Sequence, residues 1–200
     1  MNANAHLKPR PLAAGFTLLE LMITVALIAV LIGLATPSFQ YVINVGRITS
    51  PANELLAGLQ VARAESIRRG VRTVVCRSDT PDAAGAACST AGGAWGGWIA
   101  FVDNDNDGTL DAGEAVLRTG TVPAPAVLNA SSNIANQRVV FRPDGLARTP
   151  AGALLAGRLA VCIADTTPPE NVRDVTITSG SRIAVVSRNG AGACGVPANS

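Results

Sequence analysis

From Phe16 to Ala35 the chain reads FTLLELMITVALIAVLIGLA, a run with one ionisable side chain, Glu20. No other feature constrains the fold as strongly. As a helix this run matches the roughly 20 apolar residues needed to cross a bilayer. The preceding segment 1–15, MNANAHLKPRPLAAG, is polar and basic and has no apolar helical face. Lys8 and Arg10 within it predict, by the positive-inside rule, a cytoplasmic leader and an outward-facing C-terminus. Four segments are therefore expected: a leader over 1–15, a transmembrane helix over 16–41, an amphipathic continuation over 42–70 and a separate domain over 71–200.

Glu20 is out of place in such a helix. An ionised carboxylate in the hydrocarbon core costs at least ~2.5–3.5 kcal/mol, so a buried one needs a partner, whereas one near the end can snorkel to the headgroups. An ordinary secretory signal is cut behind its apolar stretch. Here the small residue, Gly15, stands in front of it. The string Gly15-Phe16-Thr17-Leu18-Leu19-Glu20, the uncharged run after it and Pro37 resemble the type III signal of type IV pilins and type II secretion pseudopilins. That resemblance implies cleavage between Gly15 and Phe16 by a membrane-embedded prepilin peptidase. It also implies N-methylation of Phe16 and retention of the helix as an inner-membrane anchor. It further implies a hetero-oligomeric filament of pilins or pseudopilins, in which Glu20 pairs with the Phe16 ammonium of a neighbouring subunit. In a low-dielectric bundle such a pair sets axial register more than it adds stability. Gly33 and Pro37 would loosen the helix ladder.

Past Tyr41 the pattern becomes amphipathic: Leu55, Leu56, Leu59, Ala62 and Ile67 recur at helical spacing, with Glu54, Arg63, Arg68 and Arg69 on the wet side. Pro51 predicts a break or restart near 49–51 with Ser50 as N-cap, and Gly70 a C-terminal stop. From Val71 the signal is strands: 71–77, 97–103, 115–120, 138–145, 157–164, 172–180 and 181–188, the last two as a hairpin. Segments 78–93 and 121–136 read as loops. Short connections predict antiparallel pairing. With aromatics at only 4% the core must rest on Val, Leu, Ile and Ala. The expected fold class is α+β and pilin-like: a long N-terminal helix packed on an antiparallel β-sheet domain. The helix ELLAGLQVARAESIRRG, the block WGGWIAFVDNDNDGTLDAGEAVLR and the final hairpin resemble the GspH/FimT family of minor pilins and pseudopilins.

Residues 103–114, DNDNDGTLDAGE, satisfy the D-x-[DN]-x-[DN]-G-x₅-E calcium-loop pattern. Asp103, Asp105, Asp107, Thr109 (through its carbonyl), Asp111 and Glu114 would supply hard oxygen ligands for Ca²⁺, and Gly108 the sharp turn. An EF-hand needs flanking helices, and strands flank this loop, so the same residues also read as a soluble hairpin tip. Cys76, Cys88, Cys162 and Cys194 contain no CxxC pair, and the lone His6 excludes Cys/His zinc spacing. An exported chain with four cysteines favours disulfides, Cys76–Cys88 and Cys162–Cys194 each closing a local loop; buried free thiols are the alternative. Trp98 is expected in the core.

Removal of the leader leaves 14 basic and 14 acidic side chains, a balance that argues against a nucleic-acid-binding face. Some FimT-like pilins bind DNA, and the resemblance implies a C-terminal Gly-Arg-x-Arg motif. Here Gly180-Ser181-Arg182, with Arg188 further on, is a degraded form of it. The mature chain has no histidine, no G-x-S-x-G elbow and no phosphate-binding glycine loop, so no catalytic constellation is legible. The function expected is that of a minor pseudopilin (GspH-like) of type II secretion, at or near a filament tip. The alternatives are a type IV pilus minor pilin (FimU/FimT-like) in pilus assembly, a DNA-binding pilus-tip module using Arg182 and Arg188, and a calcium-regulated adhesin-like tip.

Overall fold

The computed structural model describes residues 15–200, without the side chains of residues 34–38. Leader residues 1–14 and the Pro37 side chain lie outside the described residues. The chain divides into two compact units, Met1–Phe39 and Gln40–Ser200.

Helix α1 spans Leu18–Arg69. In the first unit its large apolar side chains from Leu18 to Ile32 are all exposed, Leu18 at 77% and Ile23 at 51%. A helix apolar on every side needs an apolar environment around it. Among the described residues no helix is long and apolar enough to cross a membrane. The stretch with described side chains, 18–33, amounts to about 24 Å of helix.

In the second unit one face of α1 is fully buried through Ile48, Ala52, Leu55, Leu59 and Ala62. The break expected at 49–51 does not occur: α1 runs straight through Ser50 and Pro51. A proline inside a helix costs about 3 kcal/mol. Burial of Ile48 and Ala52 on either side of Pro51 holds the helical path against that cost. Ile67, expected on the buried face, is 55% exposed: it sits in the last turn, with its tip against Gly145. The helix stops at Gly70, whose φ is +68° and whose N–H donates to the Ser66 carbonyl, an αL C-terminal cap.

Nine strands follow: β1 (Arg72–Ser78), β2 (Gly97–Asp103), β3 (Val116–Thr121), β4 (Ala126–Ala130), β5 (Arg138–Phe141), β6 (Ala147–Arg148), β7 (Gly157–Ile163), β8 (Val172–Ile177) and β9 (Ile183–Arg188). They form two sheets, ordered β3-β2-β1-β5-β6 and β4-β7-β8-β9. Every neighbouring pair is antiparallel. The architecture is the α+β, pilin-like plan expected. Two strands were not legible: β4 lies inside the segment read as a loop, and β6 is only two residues long. β4 forms because β7 pairs along it and because Trp95 N–H donates to the Leu128 carbonyl.

Side-chain alternation gives the five-stranded sheet two unlike faces. Val75, Trp98, Ala100, Val139 and Phe141 join the α1 residues and the second sheet in the main core. Thr73 on this face donates its hydroxyl to the Ala62 carbonyl of α1. Val74, Cys76, Ile99 and Phe101 point the other way and form a smaller cluster under Ala86, Cys88 and Leu110.

Candidate functional site

At the N-terminal end, Gly15, Phe16 and Thr17 precede α1 in non-helical backbone, and Phe16 is 82% exposed. The Thr17 hydroxyl oxygen accepts the Glu20 backbone N–H at 3.2 Å, so Thr17 is the N-cap and Glu20 the third helical residue. The spacing Thr17-x-x-Glu20 is that of a capping box, a signal present in the sequence and missed there. Glu20 is exposed on an otherwise uncharged stretch, near the positive end of the helix dipole. Cleavage after Gly15 would leave an amino group at Phe16, one residue before the cap.

The acidic loop joins β2 to β3. Asp103, the last residue of β2, is fully buried, and Arg72 of β1 meets its carboxylate at 2.9 Å. Among the described residues Arg72 is the one cation within ion-pair distance of that carboxylate, and the backbone N–H groups of Gly108 and Asn106 also favour its charged form. Burial pushes the Asp103 carboxyl above its ordinary range, against the pull of Arg72. Beyond it the chain turns through Asn106 (φ +67°) and Gly108 (φ +78°). Arg72 donates to the Asn106 carbonyl at 2.7 Å and Arg138 to the Gly108 carbonyl at 2.6 Å. Asp107 accepts from the Thr109 backbone N–H (2.6 Å) and hydroxyl (2.7 Å), and these bonds hold its carboxyl below the usual range. Glu114 closes the loop by accepting from the N–H groups of Asn104 (2.7 Å) and Asp111 (3.2 Å). Asp111 is raised, by desolvation first and then by Asp107, Asp105 and Glu114 around it.

Carboxylate oxygens of Asp103, Asp105 and Glu114 lie within 4.8 Å of one another, as do those of Asp105, Asp107 and Asp111. Oxygens sharing one Ca²⁺ at 2.3–2.6 Å fall within about 5 Å of each other, so each trio fits a calcium ion in type and in span. The five carboxylates the sequence named fall into two overlapping trios that share Asp105. Thr109 is there too, with its side chain committed to Asp107. Strands flank the loop, as expected.

The cysteines are joined as Cys76–Cys88 and Cys162–Cys194, and among the described residues none is free. Arg182 and Arg188 are not brought together: the first precedes β9 and the second ends it. Arg188 is held by Asp174 through two hydrogen bonds of 2.7 and 3.2 Å, and Arg158 approaches the same carboxylate at 3.6 Å. Arg182 lies beside Arg63, Ile67 and Ile183 in a groove.

Residues 51–190 match the family model of the type II transport protein GspH, and residues 10–36 match that of the prokaryotic N-terminal methylation motif. No curated protein sequence matches the chain. Among solved structures, the type IV minor pilin FimU of Pseudomonas aeruginosa is similar at 20% identity and a TM-score of 0.46, over 70% of this chain and 87% of that one. The minor pseudopilin EpsH from the type 2 secretion system of Vibrio cholerae is similar at 12% identity and a TM-score of 0.49, over 70% of this chain and 97% of that one.

Proposed function

The chain belongs to the type II transport protein GspH family, and on that premise we propose that it is a minor pseudopilin of a type II secretion filament, placed at or near the tip. In this reading a prepilin peptidase cuts between Gly15 and Phe16 and methylates Phe16. The helix over 16–41 then anchors the subunit in the inner membrane, with the leader cytoplasmic and the β-domain periplasmic. On assembly the apolar helices bundle, and Glu20 pairs with the Phe16 ammonium of a neighbour. The observation that carries the reading is the methylation motif over residues 10–36, joined to a helix whose apolar side chains are exposed from Leu18 to Ile32. A structural role follows from this reading.

Secretion is favoured over a type IV pilus because the Gly-Arg-x-Arg motif is degraded at Gly180-Ser181-Arg182. The arginine that follows, Arg188, already has a carboxylate partner in Asp174. The test is in-cell cross-linking of the tagged full chain, followed by mass spectrometry. Capture of other pseudopilins and the secretion platform supports the reading. Capture of a major pilin and pilus-tip proteins moves the subunit to a type IV pilus.

A second reading is that the acidic loop binds Ca²⁺ to stiffen the β2–β3 connection. Full burial of Asp103 at its first position supports it: a carboxylate placed there with one arginine as counter-charge is costly unless the position is used.

A further inference from the structure

We propose that the open half of the five-stranded sheet's second face is a binding site for a small phosphate-class oxyanion. On that face β1 presents Arg72, Val74 and Cys76, while β5 presents Arg138 and Val140 and runs on to Arg142. Val74 is opposite Val140, and Cys76 is opposite Arg138. One step beyond the pair Thr73–Phe141, Arg72 and Arg142 fall across from each other. Arg148 of β6 pairs with Val140. Four arginines thus share one sheet face, and they line one pocket of about 290 Å³ together with Asn133 and Asn136. The half of the face toward Cys76 and Ile99 is covered by Ala86, Cys88 and Leu110.

Like charges at neighbouring positions of a sheet face repel, so a fold that keeps four guanidinium groups there needs counter-charge. The chain supplies part of it, and only two of the four arginines are in ion pairs. Asp103 meets Arg72 at 2.9 Å and Asp144 meets Arg148 at 2.8 Å. Asp107 also lines the pocket, bonded to Thr109 and near enough to Arg138 and Arg72 to be drawn down by them, as Asp144 is by Arg142 as well as by Arg148. Among the described residues neither Arg138 nor Arg142 forms an ion pair. Arg138 spends one nitrogen on the carbonyls of Gly108 and Asp107 (2.6 and 3.4 Å), and Arg142 is exposed.

Two planar guanidinium groups outside any ion pair in one pocket match a doubly charged tetrahedral oxyanion, which can accept from both at once. The volume lies at the small end of ligand pockets, which suits a single phosphoryl group. Free phosphate and a phosphate monoester present this same chemistry, and the two are separable by experiment.

The test is isothermal titration of the full chain in a non-ionic detergent. Its arms are inorganic phosphate, glycerol phosphate, acetate and chloride at equal ionic strength. Saturable one-to-one binding of phosphate or its ester is expected, and the tighter of the two identifies the source. Arg138→Gln and Arg142→Gln should each weaken it about tenfold, and Arg118→Gln, exposed on β3 outside the pocket, should leave it unchanged. Arg142 is exposed, so its variant reports on binding even where Arg138→Gln perturbs the loop, with circular dichroism as the check on folding. Equal responses to acetate or chloride, no saturable heat, or unchanged affinity in Arg142→Gln would overturn the proposal.

Discussion

The indole of Trp98 is wedged between two glycines, Gly58 on α1 and Gly120 on β3. A Cβ at Gly120 would lie 2.5 Å from the ring, and one at Gly58 would overlap it as well. The ring is only 1% exposed, so neither it nor its neighbours can shift freely. Gly58→Ala and Gly120→Ala should each destabilise the β-domain by about 1–3 kcal/mol, the cost of overpacking a filled core. Gly46→Ala is the control: it sits in the same helix with open space around it, and should be neutral or stabilise by up to ~1 kcal/mol. Thermal melts of the full chain in detergent check all three. A neutral Gly58→Ala would mean that the helix is not seated on Trp98 as described.

That wedge also shows how far the sequence could be read. Trp98 was legible as core, and β2 was legible from first residue to last, because an apolar run bounded by Gly-Gly and an acidic turn has few alternatives. The identity of its glycine neighbours was not, since they come from α1 and β3. Pro51 is a helix breaker by local propensity, and only the burial of Ile48 and Ala52 around it, which the sequence does not display, keeps α1 continuous. β4 was invisible because Ala126–Ala130 has little pattern of its own and takes its conformation from β7 and Trp95. The acidic loop was fully legible, since its residues are contiguous. The arginine pocket was not: only the register of β1 on β5 places Arg72 beside Arg142.

The two disulfides close loops of different length. Their sequence separations are 12 and 32, and in the chain-entropy picture their loss costs roughly 3 and 4 kcal/mol respectively. Cys162→Ser paired with Cys194→Ser should therefore lower the melting temperature more than the Cys76, Cys88 pair of serine substitutions. Cys194 also anchors the C-terminal tail, whose carbonyl at that residue accepts from Asn129 at 3.2 Å. The double-serine variant should release this tail to proteolysis before the domain unfolds, which limited digestion with mass analysis would reveal.

Glu65 near the end of α1 accepts from Arg68 (2.6 Å) and Arg69 (2.5 Å), and these bonds lower its carboxyl to about 2. The folded value lies below the ordinary 4.5, so the stabilisation is present above pH 4.5 and is lost as pH falls from there toward 2. Glu65→Gln should then melt lower than the parent at pH 6, with the gap closing between pH 4.5 and 2. The pair lies at the surface, with the Arg68 side chain 64% exposed, so solvent screening keeps the gap small. Carbon-13 carboxyl titration of Glu65 gives the value directly. A midpoint near 4.5 would sink the prediction.

If Ca²⁺ occupies the β2–β3 loop with the affinity of extracellular modules, ~10⁻⁴–10⁻³ M, then 5 mM calcium should stabilise the chain by roughly 1–2 kcal/mol relative to a chelator. Asp105 is the discriminating position, because it is exposed and belongs to both carboxylate groups of the loop. Asp105→Asn should abolish the shift with little effect on the calcium-free melt. Magnesium, which demands tighter octahedral geometry, should not replace calcium. An equal shift in Asp105→Asn would assign the effect to the general surface.

Glu20 has two roles that one pair of substitutions separates. As the third residue of α1, behind the Thr17 cap, its charge favours the helix start by ~0.3–1 kcal/mol, an effect that a neighbouring acidic position could replace. As the partner of a neighbour's N-terminal ammonium it would be irreplaceable, because an unpaired charge in an apolar bundle is strongly unfavourable. Gly15→Val should block processing, so that intact mass retains the leader. Glu20→Gln should be cleaved and methylated normally, with a mass beginning at methylated Phe16, yet be missing from sheared filaments. Normal incorporation of Glu20→Gln would leave the carboxylate with its helix-start role alone. Failure of Glu20→Gln to be processed would place its effect before assembly, at the peptidase.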